Sequence, residues 1–582
     1  MRYLIGRFLR GPARAYAIAA PLLMLLEVLM DLQQPTLMAK IIDVGVARHD
    51  QGFVLRTGAL MLTLTILGLF GGVACSIFST RASIRMGAAL RQGLFEKVQS
   101  LPFPALDRLT TASLVTRLTN DVMNVQLVVM LMLRIMIRSP LMLIGSIFMA
   151  CLLSPALSMV FCFAMPVVAI AMTFILVRST ALYGRVQKRL DTVTTIMREN
   201  LLGARVAKAF RLEAPQAERF ETANGDLIQV SVRAQGLTLV LAPVISLTMN
   251  LAVVTVLWFG GNWVHRGELE LGKILAFINY LVQITTSMLI ATNVVSGLSR
   301  AGASIARIKE VFAEESMLSV YGEVVSPQSF HLEFKDVSFG YGRGGDKVLD
   351  RISFRVDEGQ FVGIIGATGA GKSTLAALIP RLYDPDEGQI LLGGMDLRLW
   401  DRAKLRSTVG LAMQESLLFS GTIAFNLRFG SPDASDSEIA AAAQTAQADD
   451  FVAVLPEAYE SRVEQRGRNF SGGQRQRLSV ARALVPRPRL TILDDTASAV
   501  DMRTEARLRA ALRDRLKGGT LIAITQRVAS IRQADTIIVL EHGRVAATGT
   551  HSQLLAKSEI YRIIVRSQLG EEGVKHVEHA TA

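Results

Sequence analysis

Long uncharged apolar runs dominate the first three hundred residues, and shorter apolar runs alternating with polar ones dominate the rest. A membrane-crossing helix needs roughly 20 largely apolar residues. Stretches that meet this run from Ala15 to Ala39, from Thr57 to Thr80, twice within Ser139 to Val177, from Ala234 to Val264, and between Ile274 and Ser299. The shared tract breaks at Leu153-Ser-Pro155, so six spans are predicted. The polar segments 81–135 and 178–233 are long, Arg-rich and helical in period. They read as extensions of the spanning helices, turning near 101–108 and 208–216. The positive-inside rule puts both segments, and hence both termini, in the cytoplasm. The first ten residues are basic and amphipathic and predict a helix lying in the interface. No small-residue cleavage site follows them, so no removable signal peptide is expected.

From His331 onward strands alternate with helices, the pattern of a soluble α/β domain. The predicted organisation is a transmembrane domain over 1–300, a linker over 301–330, the α/β domain over 331–569 and a polar tail over 570–582. Composition changes this picture little. The 63 Lys and Arg exceed the 50 Asp and Glu, giving +13. In a membrane chain that excess belongs to cytoplasmic loops and lipid head groups. No basic stripe interleaved with aromatics is present, so no nucleic acid is expected. The three cysteines, Cys75, Cys151 and Cys162, lie in apolar runs without paired spacing, which argues against a disulfide framework or a zinc site.

The chemistry centres on Gly366-Ala367-Thr368-Gly369-Ala370-Gly371-Lys372-Ser373-Thr374, preceded by an apolar strand over 361–365 and followed by a helix opening at Leu375. Glycines let successive backbone N–H groups turn inward around a phosphate, and the helix start adds its dipole. Lys372 is expected to reach the β- and γ-phosphates and the Ser373 hydroxyl to ligate Mg²⁺. Other motifs stand in order around this loop. Tyr341 lies upstream, where a ring can stack on adenine. Gln414 ends an apolar stretch, with an amide suited to Mg²⁺ or the attacking water. Ser471-Gly472-Gly473-Gln474 reads as an anion nest at a helix start. Leu490–Asp494 is an apolar strand ending in the Mg²⁺-side carboxylate. Asp501 closes the next turn, and the strand over 521–525 leads to Gln526.

Charged residues inside spans are functional candidates. Glu27 and Asp31 are four apart and share a helix face; they either line a pathway for a cationic substrate, or sit in a polar seam between helices or beside a headgroup. Arg134 and Arg138 precede an apolar tract and are expected to snorkel to the inner interface.

The Ser471–Gln474 motif, together with the phosphate loop and the Asp-ended strand, resembles the nucleotide-binding domain of an ABC (ATP-binding cassette) transporter. From Met1 to about Leu569 the chain resembles a half-transporter of the six-helix exporter type. The fold class this implies is an all-α six-helix transmembrane domain followed by an α/β phosphate-loop ATPase domain with an α-helical subdomain. The resemblance implies ATP and Mg²⁺ as ligands, and two such domains paired head-to-tail around two ATP molecules. Each ATP then lies between one chain's phosphate loop and the other's Ser-Gly-Gly-Gln. It implies that the turns near 101–108 and 208–216 are coupling helices and that Val463–Gly467 is a cross-linking loop.

Two positions depart from the family pattern. Asp495 stands where the family has Glu to polarise the attacking water, and Gln526 where it has the switch His. Both act on the ATP held by this chain's own loop, while Ser471–Gln474 serves the other. The expectation is a heterodimer with a second, different half-transporter, similar to bacterial multidrug exporters, with this chain's own site slow. The predicted substrate is hydrophobic or amphipathic (a small molecule, lipid or peptide) and the predicted location the bacterial inner membrane, in contact with lipid. The alternatives are a homodimeric lipid or drug exporter, and a nucleotide-gated channel or regulatory ATPase.

Overall fold

The computed structural model describes residues 2–314, 329–342, 346–496, 500–515 and 518–568. The chain forms two compact units: residues 1–99 with 111–314, and 100–110 with 315–582.

The first unit is helical. Among the described residues six helices are long and apolar enough to cross a membrane: Pro12–Val46, Gln51–Gln99, Thr111–Leu153, Pro155–Leu202, Glu213–His265 and Leu271–Ile290. The break predicted at 153–155 is present. Leu153 ends one helix, and Ser154 caps the next by accepting from Leu157 N–H at 3.4 Å. The helix Gln51–Gln99 has 49 residues. At 1.5 Å per residue it is about 70 Å long, over twice the roughly 30 Å apolar thickness of a bilayer. Polar continuation beyond the span is therefore built into the helix itself. The unit's core gathers Ala20, Met24, Val28 and Leu32, spaced by four along one helix face, against Phe161, Phe277 and Tyr280. Tyr280 donates from its hydroxyl to Leu32 O at 2.7 Å and shares a 2.7 Å bond with Thr36 Oγ1.

Two boundaries differ from the sequence reading. The linker expected from 301 begins as helix, because Leu271–Ala313 runs on unbroken. Ala301, Ser304, Ile308 and Val311 recur at helical spacing and are all buried, so this stretch has a core face of its own. Arg307 ties it to Asp121, with Nε 2.8 Å from Oδ2, and Arg117 Nη1 donates to Arg307 O at 2.8 Å. Residues 315–328 of the expected linker and the expected tail over 570–582 lie outside the described residues. The segment 100–110, assigned by sequence to the membrane part, groups with the second unit. Its short helix Phe103–Leu109 buries Ala105 and Leu109.

Among the described residues the second unit holds two main sheets and a two-stranded pair, Gly421–Thr422 with Arg462–Val463. One has six strands in the order Arg544–Gly549, Thr536–Glu541, Phe361–Gly366, Thr520–Ile524, Leu490–Asp494 and Val409–Ala412, parallel except for the outermost Arg544–Gly549. Phe361–Gly366 and Leu490–Asp494 are buried at every position, as central parallel strands covered on both faces require. The other sheet is antiparallel, built on Leu349–Val356, Leu332–Phe339 and Glu387–Leu392. A helical group includes Asp436–Thr445 and Gly472–Leu484, whose Ile439, Ala442, Leu478 and Ala481 pack into one core.

Candidate functional site

The parallel strands deliver their C-terminal ends to one place, where an open α/β sheet binds ligands. A cleft of about 250 Å³ there is lined by Val348, Thr368, Gly369, Gly371–Thr374, Gln414, Asp494, Asp495 and Gln526. Ten of these, all but Val348, come from the residues named for nucleotide chemistry at four separate stretches of sequence, and the fold brings them together. Glycine is required at two points of the loop. Gly371 has φ +90°. A Cβ on Gly366 would stand 2.3 Å from Leu540 O, so no side chain fits where the loop leaves its strand.

Lys372 opens the helix Lys372–Leu378, and its Nζ donates to Gly366 O at 2.9 Å and Ala367 O at 2.8 Å. The ammonium thus lies across the mouth of its own loop. Burial lowers its pKa, against the pull of the Asp495 and Asp494 charges. Burial raises the Asp494 carboxyl, opposed by a hydrogen bond from the Ser373 hydroxyl. Burial also raises Asp495, opposed by the charges of Arg527 and Lys372. Asp495 sits at φ +46°, a left-handed backbone that Asp tolerates better than most residues, and its N–H is pinned to Ile524 O at 2.8 Å.

These donors fit Mg²⁺. A hydroxyl already bonded to a carboxylate, with an amide in the same cleft, is an all-oxygen set suited to a hard cation that keeps some of its own waters. Ser373, Gln414 and Asp494 are the residues that would hold it.

Tyr341 does not line the cleft. Its half-exposed ring stands edge-on to Phe339 and Tyr383, with centroids at 5.1 and 5.5 Å, and its hydroxyl bonds Thr374 Oγ1 at 3.1 Å. Tyr383 was not read from the sequence. Its hydroxyl donates to Asp107 Oδ2 at 2.7 Å and its ring meets Phe103 at 5.9 Å, both on the helix Phe103–Leu109. Burial and the Asp107 carboxylate hold its phenol well above the ordinary range. The signal available was an aromatic just before the turn-forming Asp384-Pro385, which says nothing of a partner some 276 positions away.

Ser471, Gly472, Gly473 and Gln474 lie apart from the cleft and begin the helix Gly472–Leu484. The expected anion nest is also a capping box: Ser471 Oγ accepts from Gln474 N–H at 3.3 Å, and Gln474 Oε1 from Ser471 N–H at 2.8 Å. Asp501 accepts from Arg503 N–H at 3.1 Å and Thr504 N–H at 2.9 Å, bonds that pull its carboxyl below the usual range. In the helical unit, Glu27 and Asp31 are not left as open carboxylates. Arg138 forks between them, 3.2 Å from Glu27 Oε1 and 3.1 Å from Asp31 Oδ2. Both acids are thus paired across to the helix Ile135–Leu153. Arg138, expected to snorkel to the inner interface, is paired with two acids on the neighbouring helix.

Residues 17–288 match the family described as the ABC transporter transmembrane region, and residues 349–498 match the family described as ABC transporter. The chain is 38% identical over 562 residues to the uncharacterized ABC transporter ATP-binding protein YfiB of Bacillus subtilis, covering 97% of this chain and 98% of that one. It is 32% identical over 579 residues to the mitochondrial potassium channel ATP-binding subunit of Xenopus tropicalis, covering 95% and 81%. The solved structure of a bacterial Atm1-family ABC exporter with ATP bound superposes with a TM-score of 0.82 at 26% identity, over 96% of this chain and 100% of that chain.

Proposed function

The chain belongs to the ABC transporter family, and on that premise we propose that it is the exporter half whose own ATP site is slow and whose Ser471–Gln474 completes a faster site on a different partner chain. It is a multi-pass membrane protein, with six helices fit to span among the described residues. In the proposed orientation the ATPase unit and both termini are cytoplasmic, in a bacterial inner membrane. The cargo class is hydrophobic or amphipathic.

One observation carries the reading: the cleft that gathers Lys372, Ser373 and Asp494 also contains Asp495 and Gln526. Binding groups are complete, and the two groups that act on the attacking water and the γ-phosphate are the altered ones. Lys372 leaves its loop carbonyls to meet the β- and γ-phosphates, and the backbone N–H groups of 369–374 close round them. When bound, Mg²⁺ neutralises charge developing on the β- and γ-oxygens. Asp495 is one methylene shorter than Glu, and a displacement near 1 Å can cost about a hundredfold in rate. Gln526 can donate a hydrogen bond to the γ-phosphate but cannot carry a proton. ATP is therefore held and cleaved slowly here. Ser471 and the N–H groups of Gly472 and Gly473, at a helix start, are available to a phosphate on the partner's loop.

The test is ATP turnover by the chain alone in lipid nanodiscs, beside D495E/Q526H. Near-silence in the natural chain and a gain of about tenfold or more in the double variant are expected. Brisk turnover by the natural chain points instead to a homodimeric exporter. The similarity to a channel's ATP-binding subunit favours a second reading, in which nucleotide gates or regulates rather than drives transport. Uptake of cargo against its gradient into inside-out vesicles separates the two, because only the exporter accumulates it.

A further inference from the structure

The loop that carries Gln526 is held from outside the cleft. On its strand side, Thr525 N–H donates to Ile364 O at 3.0 Å and Arg527 N–H to Thr525 Oγ1 at 3.0 Å. On its other side stands the helix over 559–568. Tyr561 and Val565, four apart on this helix, are both fully buried in the same core as Val528 and Ile531. Anchored there, the helix brings the amide of Gln568 onto the loop. Gln568 Nε2 donates to Gln526 O at 2.6 Å, and Gln568 Oε1 accepts from Val528 N–H at 2.9 Å. One side chain thus supplies the donor and acceptor that an adjoining strand would supply, to residues two apart. The amide tip offers a donor and an acceptor side by side, as a peptide edge does, and Asn is a methylene too short to reach from the same helix position.

The main chain of the switch residue is therefore fixed by a side chain 42 positions away, on a different element. We propose that Gln568 is a positioning residue for the switch: it fixes the backbone of Gln526 and Val528 so that the Gln526 amide meets the γ-phosphate. The proposal rests on the reading of Gln526 given above. It makes the helix over 559–568 part of the nucleotide response, because any displacement of that helix moves Gln568 and frees the loop. It acts on binding, so it can be read whether or not this chain's own site turns over.

The experiment measures Mg·ATP affinity of the full chain in nanodiscs by displacement of fluorescent trinitrophenyl-ATP. The variants are Q526A, Q568A, Q568E and Q526A/Q568A. Q568E is nearly isosteric, retains the acceptor for Val528 N–H and removes the donor to Gln526 O. Melting of the nucleotide-free chain checks folding, and Q568E decides if Q568A proves unstable. Q526A, Q568A and Q568E are each expected to weaken affinity about three- to tenfold, the range of one ordinary hydrogen bond. The double variant is expected to be within about twofold of Q526A, because Gln568 acts through a side chain already removed. If Q526A weakens binding while the Gln568 variants do not, or if the two losses multiply, Gln568 is only structural and the inference fails. If Q526A has no effect, the reading of Gln526 fails and takes the inference with it.

Discussion

Lys372 and Asp494 face each other across the cleft as opposite charges, yet each is pushed by burial toward its neutral form. Both are held ready for a ligand at some cost to the empty domain. K372A is expected to weaken Mg·ATP binding about a hundredfold, a loss typical of a desolvated charge contact to phosphate, measured by the same displacement titration. Asp494 gives a pH prediction of definite sign. Its folded-state pKa lies above its unfolded value, so the folded domain takes up the proton more readily. The stability this group supplies is full below the unfolded value and is lost as pH rises through the folded one. At pH 7 the ionised carboxylate is a burden, so nucleotide-free D494N is expected to melt higher than the natural chain. The gap should shrink on acidification through the carboxylate range, and Mg²⁺-dependent ATP binding should disappear. Scanning calorimetry of the nucleotide-free chain from pH 7 downward checks it. Most cleft residues were legible because a phosphate loop forces a fixed spacing of small, basic and hydroxyl residues. Tyr383 and Gln568 were not, because what defines them is a partner distant in sequence and no local spacing rule reports that.

At the scale of elements, sequence read best where one physical demand acts on a continuous run. Twenty apolar residues sufficed to find each span, and Ser154-Pro155 to find the break between two of them. It read poorly where elements choose partners. The helix Phe103–Leu109 joins the ATPase unit through Phe103 and Asp107, which the amphipathic pattern of that stretch does not reveal. Its bond to Tyr383, whose ring touches Tyr341, connects this helix with the aromatic expected beneath adenine. D107A is expected to leave Mg·ATP affinity within about twofold of natural while lowering transport per ATP hydrolysed, measured in a complex with an active partner site. The Arg138 fork is the second case. R138A would leave two carboxylates unpaired among apolar helices. Because these side chains are 41%, 13% and 36% exposed, the loss is expected to be about 1–2 kcal/mol rather than the larger cost of a fully buried pair. E27Q/D31N/R138M removes all three charges and is expected to recover most of the melting temperature, as measured in detergent. An open cation site would behave differently, with R138A tolerated and a cationic cargo bound more tightly.

Over the whole molecule, the two ends of nucleotide chemistry lie at different places on the same unit. The cleft holds the altered Asp495 and Gln526, and Ser471–Gln474 stands apart from it with its capping box intact. A single chain cannot close its own Ser471–Gln474 over its own phosphate loop if each serves a different ATP. The order of motifs was fully legible, but their separation in space was supplied by the resemblance until the fold was in hand. This separation makes damage to the two ends unequal in a complex with a different partner. On the proposed reading a carboxylate introduced at Gly473 would meet the partner's γ-phosphate, and like-charge contact in a desolvated site costs several kcal/mol. G473D should therefore lower turnover about a hundredfold or more. On the proposed reading K372A empties only the slow site, and its cost is the loss of whatever closure that ATP holds, expected at about three- to tenfold. In a homodimer every site contains one of each motif, so the two variants would abolish turnover alike. Steady-state hydrolysis of the two variants in the same complex reads the difference directly: a ratio above about tenfold requires two unlike sites, and a ratio near one requires two identical ones.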